Sequence, residues 1–108
     1  MARWAYEFAS ARSLYEMQPI LDQAGPWRWG IKDCAWYPDF ILCRPDGDVR
    51  ICLYERKPPG GTTYRCHVEI ASGSRVQRGS IDPALVAALG RLPVTDLVEV
   101  EAGEWPFD

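Results

Sequence analysis

The chain has 108 residues, of which 47% are hydrophobic and 25% are charged, and its formal net charge is −3. This length supports one hydrophobic core and the composition is that of a globular protein, so we expect a single domain over residues 1–108. The acidic balance argues against nucleic-acid binding, and no apolar run approaches the roughly 20 residues of a membrane-spanning helix.

Two features of the composition bear on where the protein acts. The first residues lack the apolar segment of a secretory signal peptide, so we expect a cytoplasmic protein. Arg outnumbers Lys among the twelve basic residues, which is typical of a GC-rich coding genome and favours a bacterial source.

The N-terminal third predicts a strand followed by a helix. Aromatic residues alternate with polar or small ones over residues 3–9, as in a half-buried strand. Ser13 and Glu16 have the spacing of a capping box, and apolar residues at helical spacing then extend the helix to about Ala24. Pro19 lies inside this pattern and predicts a kink or a split. Residues 27–33 alternate again and predict a second strand.

Residues 36–56 predict a β-hairpin, because Asp46-Gly47 separates two β-type runs. With that dipeptide at the tip, Leu42 opposes Ile51 and Phe40 opposes Leu53. One sheet face then carries the apolar residues Phe40, Leu42, Val49, Ile51 and Leu53. The other face carries a mixed set, Ile41, Cys43, Arg50, Cys52 and Tyr54. We expect helices to cover the apolar face and leave the mixed face accessible.

The C-terminal half predicts one more strand, a helix and a final strand. Residues 62–71 alternate with Cys66 inward and His67 outward, which predicts a surface histidine. After a polar loop over residues 72–80, Asp82 and Pro83 resemble the cap and first residue of a helix. Residues 96–102 predict a last strand with Val98 and Val100 inward. The fold class is α+β: a mainly antiparallel sheet of five to six strands with two helices on one face, in the order β-α-β-β-β-β-α-β.

The cysteines Cys34, Cys43, Cys52 and Cys66 are separated by 9, 9 and 14 positions. Zinc sites use close pairs such as C-x₂-C, so this spacing predicts no metal site, and no motif indicates a cofactor. Cys43 and Cys52 share a face in the predicted hairpin but lie diagonally, roughly 7–8 Å apart, which is too far for a disulfide. We expect reduced, packed thiols.

Aromatic and arginine residues concentrate around the predicted central sheet. Trp, Tyr and Arg dominate the hot spots of protein interfaces, and no catalytic motif accompanies them. We therefore expect a small protein-binding module rather than an enzyme, with a toxin-neutralising immunity-type protein as one specific form by analogy of size. The expected binding residues are Trp27, Trp29, Trp36, Tyr37, Arg50, Tyr54 and Arg56.

Two other functions are compatible with the sequence. His67 or Asp39 could serve a small hydrolase or transferase together with Arg65. Stacked aromatics with basic neighbours could instead hold single-stranded nucleic acid, although the acidic total makes nucleic acid the less favoured partner. The edge strands of an open sheet could pair with a second copy to form a homodimer. We expect the tail Trp105-Pro106-Phe107 to dock on its own domain in preference to a second subunit.

Overall fold

The computed structural model describes residues 1–33, 38–56 and 63–107. The predicted α+β order is confirmed: a six-stranded, fully antiparallel sheet has the strand order β2-β3-β4-β5-β1-β6. The elements are β1 (Ala2–Ser10), α1 (Leu14–Ala24), β2 (Trp29–Lys32), β3 (Phe40–Asp46), β4 (Val49–Arg56), β5 (Thr63–Ile70), α2 (Arg78–Leu89) and β6 (Val94–Val100).

The start of α1 has the predicted chemistry. The Ser13 hydroxyl accepts a hydrogen bond from the Glu16 amide, and the Glu16 carboxylate accepts one from the Ser13 amide, so the capping box is complete. The helix continues through Pro19 to Ala24 as one element, so of the two predicted outcomes, a kink or a split, the split is wrong. Pro19 is exposed, and water can solvate the carbonyl that its missing N–H leaves free.

The predicted register of the hairpin is wrong by one residue. Leu42 pairs with Cys52 and Ile41 with Leu53, while Asp46 pairs with Val49 across a turn at Gly47 and Asp48. The Asp46 carboxylate accepts a hydrogen bond from the Asp48 amide, which places the turn one position later than predicted. An irregularity between Cys43 and Asp46 offsets the pairing further along β3.

This shift inverts β3 and leaves β4 as predicted. Ile41 and Cys43 belong to the helix-side core, whereas Phe40 and Leu42 lie on the opposite face. Cys43 and Cys52 are therefore on opposite faces and do not share one. Ile51 and Leu53 point toward the helices as expected. Below, the second face is the sheet face opposite the helices.

The two C-terminal elements differ from expectation. Helix α2 begins at Arg78, four residues before Asp82, and no side chain caps it. Asp82 lies inside the helix and does not cap it. Its carboxylate instead accepts hydrogen bonds from β1, from Trp4 Nε1 at 3.0 Å and from the Tyr6 hydroxyl at 2.7 Å. In β6 the predicted pleat is inverted, since Val100 pairs with Ala5 and Val98 with Glu7 on the second face. Val98 is 52% exposed, so it does not point into the core.

One hydrophobic core lies between the helices and the sheet. It joins the inward side of β1, β3, β4 and β5 to Leu14, Met17 and Leu21 of α1 and to Leu85 and Leu89 of α2. Helix α1 also covers the edge strand β2, because the Gln18 amide donates to the Trp29 carbonyl and Asp22 accepts from the Trp29 amide. Neither helix of the described chain is long and apolar enough to cross a lipid bilayer.

The inverted pleat of β3 gives a direct test by paired truncation. Ile41→Ala removes a fully buried side chain, so we expect the free energy of unfolding to fall by about 3 kcal/mol. Leu42→Ala removes a half-buried side chain on the second face, and we expect a loss of about 1 kcal/mol. Urea unfolding of both variants measures the difference. A larger loss for Leu42→Ala would restore the register predicted from the sequence.

The shared acceptor Asp82 gives a second test. Asp82→Ala leaves the Trp4 and Tyr6 donors without their partner, and we expect it to lower the free energy of unfolding by about 2 kcal/mol. Gln23→Ala, an exposed position of α1, is the control and should change it by less than about 0.5 kcal/mol. Equal effects of the two substitutions in thermal unfolding would contradict a structural role for Asp82.

Candidate functional site

The C-terminal tail, residues 101–107, lies across the second face and is anchored there by two aromatic rings. The Phe107 ring stacks on Phe40, with centroids 3.8 Å apart and planes inclined by 9°, and meets the edge of Tyr54 at 5.3 Å. The Trp105 ring covers Arg50, whose guanidinium carbon is 4.0 Å from the ring centroid. Docking of the tail on its own domain is therefore observed. We call Phe40, Arg50, Tyr54 and His67 the tail site.

A glycine allows the chain to reach this face. Gly103 has a φ of +67°, in the region that side-chain-bearing residues rarely adopt. It lies three residues after β6 ends at Val100 and two residues before Trp105. Between these points, Arg65 Nη2 donates to the Glu101 carbonyl at 2.7 Å. Trp105 and Phe107 then both contact the sheet, and Pro106 between them is exposed.

A buried carboxylate fixes the position of Arg50. Glu69 is only 5% exposed and accepts from Arg50 Nη2 at 2.6 Å and from Arg3 Nε at 3.0 Å. Burial alone raises the pKa of Glu69, but the hydrogen bonds and positive charges of Arg50 and Arg3 outweigh it and lower the pKa overall. Arg50 is thus held between a carboxylate and an indole ring, where its delocalised cation interacts with both.

His67 was predicted to lie on the surface, but it lies beneath Trp105. Its side chain is fully buried, and the ring meets Trp105 edge-on at a centroid distance of 5.4 Å. Neither ring nitrogen has a hydrogen-bond partner within the described structure. Burial lowers the pKa of His67; Glu69 opposes that shift, and the nearby arginines Arg65, Arg3 and Arg50 add to it. The imidazole is therefore neutral at pH 7.

The structure brings together only some of the predicted binding residues. Arg50, Tyr54 and the exposed Arg56 lie on the second face, and Arg56 forms an ion pair with Glu7. Trp29 is 2% exposed and belongs to the helix-side core, where it packs against the half-buried Trp27. The predicted positions Trp36 and Tyr37 lie outside the described residues.

Sequence reasoning missed that the tail belongs to this site. Two signals pointed to it. Trp105 and Phe107 are two residues apart, so an extended chain directs both rings the same way. Charge also divides along the chain: residues 44–78 hold seven basic and four acidic side chains, and residues 79–108 hold one basic and six acidic side chains. That asymmetry favours contact between the acidic tail and the arginine-bearing face.

The residues considered for catalysis lie apart. Asp39 lines a cleft of about 420 Å³ at the start of α1 and accepts a hydrogen bond from the Tyr15 hydroxyl. The cleft is large enough for a small substrate, but its lining does not include His67 or Arg65.

The three described thiols, Cys43, Cys52 and Cys66, are free and buried. Burial raises the pKa of Cys43 and of Cys52 to about 12, so both are protonated at neutral pH.

Comparisons with known proteins add no functional information: no protein-family model matches the chain, and no match of significance was found among curated proteins.

The buried histidine predicts that tail docking depends on pH. The pKa of His67 is lowered while Trp105 covers it and returns toward about 6.5 once water reaches the ring. Docking is therefore strongest above that value and weakens as the pH falls, by up to about tenfold in the equilibrium constant at pH 5.5. NMR can follow this through the ring-current shift of the Arg50 side chain beneath Trp105, between pH 8 and pH 5.

His67→Leu is the matched control, because His67 is the single histidine of the chain. Among its neighbours, Glu69 has a lowered pKa and Cys52 a raised one, so neither titrates in this interval. We expect the Arg50 signal of His67→Leu to be independent of pH from 8 to 5. A pH dependence equal to that of the unsubstituted protein would assign the effect to another group.

Proposed function

We propose that this protein is a small binding module that recognises a partner protein through the second face, on which the tail is seated when no partner is bound. The recognition surface consists of Arg50, Tyr54 and Arg56, and Trp105 and Phe107 of the tail occupy part of it. The observation that carries the proposal is that arginine, tyrosine and tryptophan side chains, the residue types of interface hot spots, lie side by side here and remain partly exposed.

The rigidity of the sheet supports this function. Strand β4 lies between β3 and β5, and its inward residues Ile51 and Leu53 are fully buried. Arg50 and Tyr54 therefore project from a backbone that is already ordered, and Glu69 holds the Arg50 head in place. A partner that binds such a surface orders few additional groups, which limits the entropic cost of association.

Charge favours a protein partner over nucleic acid. Arg3 and Arg50 share Glu69, and Arg56 pairs with Glu7, so these arginines of the second face are already engaged by carboxylates. Nucleic-acid binding relies on arginine and lysine that are free to contact phosphates. The acidic tail adds negative charge on the same face, at Glu101 and Glu104.

The environment that we propose is a bacterial cytoplasm. The three described thiols are free although they lie in a small domain, which suits a reducing compartment. No step of the proposed function requires a metal or a cofactor, and we propose that recognition, not catalysis, is the role of the surface.

The test begins with identifying a partner by affinity capture from source cells and then measures its affinity for variants by calorimetry. Arg56→Ala should raise the dissociation constant at least about tenfold, which corresponds to a loss of about 1.4 kcal/mol of binding free energy. The exposed Arg56–Glu7 pair contributes little to folding, so the melting temperature should change by less than about 2 °C. Arg50→Ala is less informative, because it leaves the buried Glu69 with one partner fewer.

Arg91→Ala is the matched control: it removes another exposed arginine, which follows α2 and takes part in no ion pair among the described residues. It should leave affinity unchanged. Equal affinities of Arg56→Ala and Arg91→Ala for the partner would place recognition elsewhere on the molecule.

A further inference from the structure

We propose that the tail is an exchangeable occupant of the tail site and that the partner protein displaces it with an extended segment of its own. This segment carries two aromatic side chains two residues apart, an acidic flank, and a polar group that bonds to His67. The inference rests on the proposed function and specifies the chemistry of the partner.

The tail site is built by the sheet and persists without the tail. Phe40 and Tyr54 project from neighbouring strands, and the ion pairs with Glu69 hold Arg50 in position. The sheet beneath is packed from the other side by the fully buried Ile41, Ile51 and Leu53. Removing the tail would therefore expose a formed aromatic slot next to a fixed guanidinium, which is a site for a flat ring.

The tail itself is attached by side chains and hardly at all by its backbone. One backbone group, the Glu101 carbonyl, accepts a hydrogen bond from Arg65. Across the described part of the chain, no hydrogen bond joins residues 102–107 to the sheet. Beyond Glu101, attachment thus depends on the two aromatic contacts, and a competing pair of aromatic side chains reproduces them.

His67 shows that the tail is an incomplete ligand. Among the described residues, neither nitrogen of this fully buried ring has a hydrogen-bond partner beneath Trp105, and a buried polar group without a partner costs free energy. A segment that places a carbonyl, carboxylate or hydroxyl oxygen near the ring would remove that cost. Such a segment has a contact that the tail lacks, which supplies a reason for exchange.

Charge and sequence define the occupant further. Arg50 and Arg65 contact the tail, and the tail carries Glu101 and Glu104, so an acidic flank suits the replacement segment. A second copy of this chain is a poorer occupant, because its tail has the same sequence and would leave His67 equally unpaired. The occupant is therefore a segment of another protein.

Tethering sets a threshold for exchange. Only four residues separate Val100, the end of β6, from Trp105, so the tail remains near its site at an effective concentration on the order of millimolar or above. Segments with two aromatic residues but no group for His67 compete weakly against this. The tail thus raises the selectivity of the face for ligands that exceed its own affinity.

The test uses a fluorescent peptide with the sequence of residues 101–108 and measures its binding by anisotropy. The full-length double variant Trp105→Ala/Phe107→Ala has an unoccupied tail site and should bind the peptide at least about tenfold more tightly than the unsubstituted protein does. A peptide with alanine in place of both aromatic residues is the matched control and should not bind. Equal affinity of the two proteins for the aromatic peptide would overturn the proposal.

A second variant releases the tail without altering its rings. Gly103→Val forces a β-branched residue into the left-handed region, strains the turn onto the face and should also increase peptide affinity. Amide spectra of both variants verify the fold. If either variant is folded and does not bind the peptide, exchange is excluded. Concentration-dependent dimers of the unsubstituted protein that dissociate in both variants would assign the site to a second copy and also overturn the proposal.

The identified partner provides the readout that separates this inference from the proposed function. In the complex with the unsubstituted protein, the NMR signals of the tail should move to values of a free chain. Tail signals that stay docked while Arg56→Ala still weakens binding would reject exchange and leave the recognition surface intact. If the double variant binds the peptide but no partner is found whose affinity depends on Arg56, exchange of the tail is supported and the proposed recognition surface is rejected.

Discussion

The ion pairs of Glu69 are the constraint on which the second face depends. A carboxylate with so little exposure is strongly destabilising unless it is paired, and Arg3 and Arg50 supply that pairing from the two strands that flank β5. The pairing fixes the position of the Arg50 head, and Trp105 covers the guanidinium in that position. One buried charge thereby connects the strands to the tail, and the tail in turn buries His67.

On the helix side of the sheet, Asp82 has a role similar to that of Glu69. Asp82 of α2 accepts from Trp4 and Tyr6 of β1, and Arg78 bridges Asp82 to Glu99 of β6. The hydroxyl of Tyr6 is difficult to ionise in this setting: burial first, and then the Asp82 carboxylate, raise the pKa of Tyr6 to about 12. On each face of the sheet an acidic residue thus joins neighbouring elements: Glu69 on the second face and Asp82 on the helix side.

Much of the fold could be predicted from the sequence because several strands alternate apolar side chains on the helix side with polar or small ones on the other side. Strands β1, β4 and β5 alternate clearly, and the capping box of α1 is a local signal, so these elements were placed correctly. Strand β3 gave no such signal. Its residues Phe40 to Cys43 are all apolar because helices cover one face and Phe107 covers part of the other. Which of its side chains face the helices then depended on the position of the turn. The hydrogen bond from the Asp48 amide to the Asp46 carboxylate places that turn one position later than predicted.

The candidate site was less predictable for the same reason. Arg50 and Tyr54 were assigned to the correct face, but alternation alone cannot show that a distant segment covers it. His67 consequently looked like a surface residue, and β6 looked inward-facing because its valines were assumed to meet a core. The contact that buries His67 comes from Trp105, about 40 positions away in the sequence, and a pattern of neighbouring residues carries no information about it.

The attachment of α1 to Trp29 has a consequence for association at high concentration. The amide and the carbonyl of this edge residue are occupied by Asp22 and Gln18, so an incoming strand finds no free backbone groups at that position. Strand β6, at the opposite end, presents an edge that bends at Asp96, where φ is +58°. Pairing of another strand is therefore obstructed at Trp29 on one edge and meets an irregular backbone at Asp96 on the other, and both features work against lateral polymerisation of the sheet.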